Sequence, residues 1–465
     1  MNSVRLFLMG AAILARSLSA AGNASTAGVT PALAAAKPAP NFVFILADDQ
    51  SWSGTAVPML PGNSRSRTPL FQTPHLERLA TEGMTFSQAY AAHCKCECSR
   101  AAIQMGRTTT SLNAPDKSAR NWKAPLTDSL VHTLKRAHTA YRAAHFGKWQ
   151  WSHSPTALGY DVSDGITMNE DGESTDPADP KLSFSITRRA HAFMQTQVQS
   201  NHPFYLQLSY YAVHQTPQAL AATLKKYSSG NDLTKRGDRA IMAAMTEDLD
   251  TCVGAVLRKL TDLGVAENTY VIYMSDNGGR SELLKGGKGN LYEGGLRVPL
   301  IVRGPGVSAG VYADVPVISY DLLPTLLDLA LPGAVPPAGS EGGSWGDVLR
   351  QGGRGSVSRP IDRLVFHQAV EIPHPQSAIR QGDFKLIYSW DTRARELYNL
   401  AGDLGETRNL ADENPSIADR LQSELQLHVR SGLGDAACQA LEAGTRDPRG
   451  PAKKGKNKQG KTRPR

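Results

Sequence analysis

Apolar and polar positions follow two different rhythms along this chain. "NFVFILADDQ" (41–50) is a continuous apolar run of strand length that stops at two acidic residues. Such a run suits a strand buried on both faces, as in a parallel sheet. "AYRAAHFG", "PFYLQLSYY" and "TYVIYMSDNGG" read as strands in the same way. Between them lie helical patterns. "TPHLERLATEG" carries its own punctuation, with Thr73 as N-cap, Pro74 at the first position and Gly83 past the end. "LDTCVGAVLRKLTDLG" has an amphipathic period, and "SRAAIQMG" is helical in character. The alternation predicts an α/β domain with a mainly parallel sheet flanked by helices. A Pro/Gly-rich stretch, "LPGAVPPAGSEGGSWG", then changes the rhythm. The shorter runs "RLVFHQAV", "SAIRQGDFKLIYS" and "ARELYNL", with the helix "SIADRLQSELQLHVR", predict a smaller antiparallel sheet with one packed helix. No internal repeat of fixed period is seen.

Both ends depart from these rhythms. Arg5 followed by "LFLMGAAILA" and small residues has the form of an export signal, with an apolar run too short to span a bilayer comfortably. A periplasmic or secreted location is expected, with no transmembrane segment. The expected organisation is a signal at 1–21, a loose leader at 22–40, a catalytic domain at 41–345, a C-terminal subdomain at 346–440 and a basic disordered tail at 441–465. The single glycosylation sequon starts at Asn23, in the leader. Residues 446–465 hold nine Lys/Arg and one Asp, a charge equal to the +8 of the whole chain. The excess positive charge therefore belongs to the tail and not to the fold. A solvated tail and a polycation that holds an anionic polymer are its two readings. It lacks aromatic residues for stacking bases, so no nucleic-acid partner is expected.

Ligands of parallel sheets bind beyond the carboxyl ends of the strands. Four of the apolar runs end in or lead to reactive residues: Asp48-Asp49, Lys148, His214 and Asp276-Asn277. If the strands are parallel, these meet at one edge. Three carboxylates and an amide carbonyl make a hard, oxygen-only set suited to Ca²⁺ or Mg²⁺. The plainer reading is that each Asp ends its strand in a turn. Three of the five cysteines crowd into "HCKCECSR" at Cys94, Cys96 and Cys98. That crowding fits a zinc site, disulfides in an exported protein, or a reactive cysteine at a helix start.

"CECSRAAIQMGR" resembles the signature of the type I sulfatases of the alkaline phosphatase superfamily, a cysteine, any residue, usually Pro or Ala, then Ser-Arg, in which the cysteine is oxidised to formylglycine. Of the three cysteines, only Cys96 has an arginine four residues on, Arg100. "FILADDQ", "TPHLERLATEGMTFSQAYA", "HFGKW", "MSDNGG" and "GGKGNLYEGGLRVPLIVRGPG" resemble further segments of that family, in the family's order. The resemblance implies an alkaline-phosphatase-like fold and hydrolysis of a sulfate ester, with a saccharide or polysaccharide as the expected substrate. It implies Ca²⁺ in preference to Mg²⁺ on Asp48, Asp49, Asp276 and Asn277. Arg100 would steady the formylglycine, and Lys148 would bind it and the sulfate. His214 and Lys288 would assist at the sulfate and the leaving oxygen. It also implies a formylglycine-generating maturation enzyme as partner. Two positions depart from the pattern: Cys98 stands where Pro or Ala is usual, and Gln150 where His follows "GKW". His145 and His153 are the nearby imidazoles that could replace it. A phosphodiester or phosphonate hydrolase of the same superfamily, or a weakened binder of sulfated glycans, are the alternative functions.

Overall fold

The computed structural model describes residues 38–113, 124–228, 233–369 and 372–444. The export signal, its sequon, nearly all of the leader and the tail from 445 onward lie outside the described residues. In chain order the strands are β1 (Asn41–Ala47), β2 (Met84–Phe86), β3 (Ala89–Tyr90), β4 (Arg142–Gly147), β5 (Val162–Ser163), β6 (Phe204–Ser209), β7 (Thr269–Ser275), β8 (Leu300–Arg303), β9 (Val311–Ala313), β10 (Val317–Ile318), β11 (Leu364–Gln368), β12 (Gln376–Gln381), β13 (Phe384–Ser389) and β14 (Arg395–Asn399). The large sheet runs β5-β4-β6-β1-β7-β8-β2-β9. Its core is parallel: β4 pairs with β6, β6 with β1 and β1 with β7, all in one direction. Strand β8 is antiparallel to its neighbours β7 and β2.

The unbroken apolar character of β1 follows from its position. Phe42, Phe44 and Leu46 face one core, and Val43, Ile45 and Ala47 face the other. Successive side chains of a strand point to opposite faces, so a strand covered on both must be apolar throughout. Helices Ser183–Gln199 and Leu233–Asp262 cover the second face, contributing Ile186, Phe193, Leu249 and Val256 to its core.

Sequence and structure differ at two helix starts. The helix read from Leu249 begins at Leu233. Thr73 precedes the helix Pro74–Thr81 but does not cap it; its hydroxyl accepts from the Ala56 N–H. The Asp250 carboxylate takes the free N–H groups of His75 and Leu76 instead, at 3.0 and 2.8 Å. A cap supplied from far along the chain does the work of a local one.

The small sheet, β11-β12-β13-β14, is antiparallel throughout. One face, including Ile379, Leu386 and Leu397, packs on Leu421, Leu425 and Val429 of the helix Pro415–Leu433. The other face, with Phe366, Ala378 and Ile387, joins the core of the large sheet. A buried charge cluster ties the two. Lys385 Nζ lies 2.9 Å from Glu293 and 2.9 Å from Glu406. Tyr90 Oη donates to Glu293 at 2.7 Å, and Arg297 lies 3.3 Å from the same carboxylate. The last described helix is Asp435–Glu442. Among the described residues, no helix is long and apolar enough to cross a membrane.

Candidate active site

The parallel pairing of β4, β6, β1 and β7 brings their carboxyl ends to one edge. Asp48 and Asp49 follow β1, Asp276 and Asn277 follow β7, and Lys148 follows β4 directly. His214 lies five residues beyond β6. Each turn out of the sheet has a local cause. Asp49 takes a left-handed φ of 61°, and its N–H donates to Asp276 Oδ1 at 3.2 Å. Gly147 has a φ of 96°, and a Cβ there would lie 2.1 Å from the Ser209 carbonyl oxygen. Only glycine lets β4 turn into Lys148 so close to β6.

Cys96 opens the helix Cys96–Met105, which ends at left-handed Gly106. Its Sγ lies 3.5 Å from Asp48 Oδ1 and 3.8 Å from Asp49 Oδ1. Lys288 Nζ is 3.3 Å from Sγ and 2.7 Å from Asp49 Oδ2. Arg100, one turn along the helix, donates through Nε to Asp276 Oδ2 at 2.9 Å, and through a guanidinium N–H to the Lys148 carbonyl. Lys148 Nζ bonds Asp48 Oδ2. His214 donates from Nδ1 to the Gln215 carbonyl at 2.6 Å and turns Nε2 toward Asp49 Oδ2, 3.7 Å away. Three carboxylates thus face Arg100, Lys148 and Lys288.

Burial sets the chemistry. Asp48, Asp276, Asn277 and Lys148 are fully buried, and Cys96 and Arg100 nearly so. Burial first, then the carboxylates of Asp276 and Asp48, push the Cys96 thiol well above its usual pKa. An unmodified thiol here stays protonated at neutral pH and is a weak nucleophile. Burial works to lower the Lys288 pKa, but Cys96, Asp49 and Asp48 overcome it and raise it, so Lys288 is a fixed cation.

The donor set suits a hard divalent cation. Ligand atoms of Asp48, Asp49, Asp276 and Cys96 all lie within 4.8 Å of one another. The Asn277 amide donates to Asp49 Oδ1 at 2.8 Å, while its Oδ1 is buried without a hydrogen-bond partner. A buried carbonyl oxygen left over beside three carboxylates fits an oxygen-seeking ion.

The other sequence readings meet mixed outcomes. None of the five cysteines is in a disulfide, so the disulfide reading is set aside. Of the three crowded cysteines, only Cys96 belongs to a metal-ligand cluster, and its companions are carboxylates and His214. That composition does not fit a structural zinc site of several thiolates. Gln150 follows Lys148 and Trp149 with a left-handed φ of 52°, its N–H on the Thr167 carbonyl at 2.7 Å. Its amide oxygen is buried without a hydrogen-bond partner. His145 does not replace the missing imidazole. It is fully buried in β4, bonds Ser209 Oγ at 3.0 Å and packs edge-on against Trp149. Burial, then the charge of Arg100, lowers its pKa to about 3, so it does not take up a proton near neutral pH. His153 is half-buried, its ring beside Trp151 and its carbonyl accepting from Trp149 Nε1 at 2.6 Å.

One residue escapes a reading by motif. Lys181 is buried and donates to the Gln215 carbonyl at 3.2 Å, the same oxygen that holds His214. No spacing in "DPADPKLSF" announces it.

Comparison with known proteins agrees with this geometry. The sulfatase family profile matches residues 40–333. The chain belongs to the sulfatase family. A second profile, the C-terminal region of N-sulphoglucosamine sulphohydrolase, matches residues 287–431. A sulfatase of Formosa agariphila is 28% identical, covering 81% of this chain and 85% of its own. Human arylsulfatase A is 28% identical over 87% of this chain and 90% of its own. Among solved structures, Ps i-CgsB in complex with k-i-k-neocarrahexaose superposes with a TM-score of 0.72 at 22% identity, covering 85% of this chain and 94% of its own. The protein is a sulfatase enzyme of the alkaline-phosphatase-like fold, a sulfuric ester hydrolase.

Proposed function

We propose that this sulfatase is an exported enzyme that removes sulfate from a sulfated saccharide, with residue 96 as formylglycine and Ca²⁺ held by Asp48, Asp49, Asp276 and Asn277. The observation that carries the reading is the setting of Cys96: a raised thiol at a helix start, ringed by carboxylates and by Lys288. As a thiol it is unsuited to attack. Converted to an aldehyde by a maturation enzyme, residue 96 supplies a hydrated oxygen nucleophile. The metal supplies polarisation of the sulfate oxygens and offsets the three carboxylates. The chain's own groups do the rest. Arg100 holds residue 96's helix against Asp276 and the Lys148 turn. Lys148 and Lys288 present fixed positive charge to the sulfate oxygens. His214, with Nδ1–H fixed on Gln215, turns Nε2 to the leaving oxygen, and in the doubly protonated ring that nitrogen donates its proton and returns to a lone pair. The saccharide follows from kinship. Mouse N-acetylgalactosamine-6-sulfatase is 30% identical over 66% of this chain. A solved structure bound to D-glucosamine-2-N,6-O-disulfate shares the fold at a TM-score of 0.65.

Two measurements test this. Cleavage after Lys95 and Arg100 gives the peptide "CECSR", whose mass separates a thiol from an aldehyde. Active enzyme with only thiol at 96 ends the formylglycine reading. A panel of sulfated mono- and oligosaccharides, with an aryl phosphodiester as control, then reads the substrate class. Preference for the phosphodiester would move the activity to a phosphoryl or phosphonate hydrolase.

A further inference from the structure

Lys181 combines three unusual features. Its backbone and that of Leu182 are both left-handed, with φ/ψ of 54°/22° and 53°/19°. Neither residue is glycine or asparagine, and successive left-handed residues of this kind are costly. Its side chain is buried. Among the described residues, no carboxylate lies within ion-pair distance of its Nζ. A buried cation without a paired carboxylate is costly as well. The surroundings hold the arrangement in place: Lys181 N–H donates to Gln218 Oε1 at 3.0 Å, and Gln218 Nε2 donates to Ser174 O at 3.0 Å. The Asp179 carboxylate receives the N–H groups of Phe184 and Ser185 at 2.8 and 3.1 Å.

What this placement gives, among the described residues, is one side-chain hydrogen bond, from Nζ to the Gln215 carbonyl, with the charges of Glu173 and Asp48 farther off. That oxygen also takes the Nδ1–H of His214 at 2.6 Å. A carbonyl oxygen has two lone pairs, and here each has a donor. We propose that Lys181 is a positioning residue for His214: it fixes the carbonyl that holds Nδ1–H, and so keeps Nε2 as the nitrogen turned to the leaving oxygen. Without it, the exposed Gln215 peptide has one fewer anchor, and the imidazole loses the constraint on its tautomer and tilt. The proposal rests on the sulfatase reading, and on His214 as proton donor within it.

The test uses leaving groups of different quality. 4-Nitrophenyl sulfate leaves without help, whereas an alkyl or sugar sulfate needs a proton in the transition state. Lys181→Met is expected to cut kcat on the poor leaving group by about 10- to 100-fold, with KM moving less than about threefold. On 4-nitrophenyl sulfate the loss should stay below about threefold. Lys181→Arg should recover part of the loss. In a His214→Ala background, Lys181→Met should cost nothing further on the poor leaving group. Side-chain nitrogen NMR of histidine-labelled protein gives a readout independent of turnover: at a pH where the ring is neutral, the His214 signal should report Nδ1–H in the parent, with Nε2 free to take the proton it later donates, and a mixture of tautomers in Lys181→Met. Equal losses on both substrates with an unchanged tautomer would make Lys181 structural and overturn the proposal. No loss on either substrate would overturn it as well. A parent enzyme that turns over no sulfate ester would instead overturn the sulfatase reading, and this role with it.

Discussion

Two buried charge clusters among the described residues, one at the sheet edge and one beneath the small sheet, differ in what they leave unspent. At the sheet edge, Asp48, Asp49 and Asp276 face Arg100, Lys148 and Lys288. Beneath the small sheet, Glu293 and Glu406 face Lys385, with Arg297 and Tyr90 beside them. Both hold carboxylates against cations away from water. In the second, Lys385 is wholly enclosed and divides its donors between two carboxylates. In the first, a third of the Lys288 side chain is exposed, and Asn277 keeps an oxygen without a hydrogen-bond partner. Charge count does not separate a working site from a structural rivet. Open valence and access to solvent do.

The comparison can be broken, and the largest effect should come at the nucleophile. Cys96→Ala should lower sulfate-ester hydrolysis on the order of 10⁴-fold or more, with circular dichroism and melting temperature unchanged. Next comes the metal. Asp276→Ala, or chelation of the parent, should cost about 10³-fold in kcat, and Ca²⁺ should restore the chelated parent best. Unaltered activity after chelation would remove the cation from the reading. The enclosed cluster should answer in the opposite currency. Lys385→Met leaves buried Glu406 without its cation and Glu293 with Arg297 alone, and should cost about 3–5 kcal/mol of stability in urea unfolding. Protein that remains folded should lose far less kcat than Asp276→Ala does, about tenfold at most, through the looser loop that bears Lys288.

The smallest effect concerns pH. Burial raises the Glu406 carboxyl from 4.5 to about 7, with Glu293 adding to the rise and Lys385 opposing it. A carboxyl raised on folding contributes stability that is complete below 4.5 and lost as the pH climbs through about 7. Glu406→Gln, which mimics the protonated form, should flatten the stability profile between those values by on the order of 1 kcal/mol. A profile as steep as the parent's would place the titration elsewhere.

How much of this was legible beforehand depends on the range of the interaction. Strands that end in Asp48-Asp49 and Asp276-Asn277 announce a shared edge, because a parallel sheet gathers its carboxyl ends. Cys96 and Arg100 are legible because their spacing matches the sulfatase signature; the residues alone left the three crowded cysteines open. Residues that act through distant partners are not. Asp250 caps a helix about 175 positions away in sequence, which local propensity cannot show. Lys181 meets His214 only through the carbonyl of Gln215, and nothing in its neighbours' identities foretells a left-handed lysine. Glu293 lies inside a stretch that resembles the family, yet its partner Lys385 comes from another sheet. His145 looked available from its spacing alone; its place on the buried strand β4 decides otherwise.

The tie between Lys385 and Glu293 also bears on how the protein is made. Synthesis runs from the N-terminus, so Asp48, Cys96, Lys148 and Asp276 leave the ribosome long before Lys385 does. Lys288 is only five residues from Glu293, in a loop fastened by that later lysine and by Glu406. A nascent chain that has finished the large sheet therefore holds its acidic residues and nucleophile while the loop bearing the last cation still lacks its anchor. The loop that carries the site's last cation thus takes one of its holds from the C-terminal side, beside those it has on Cys94 and Tyr90.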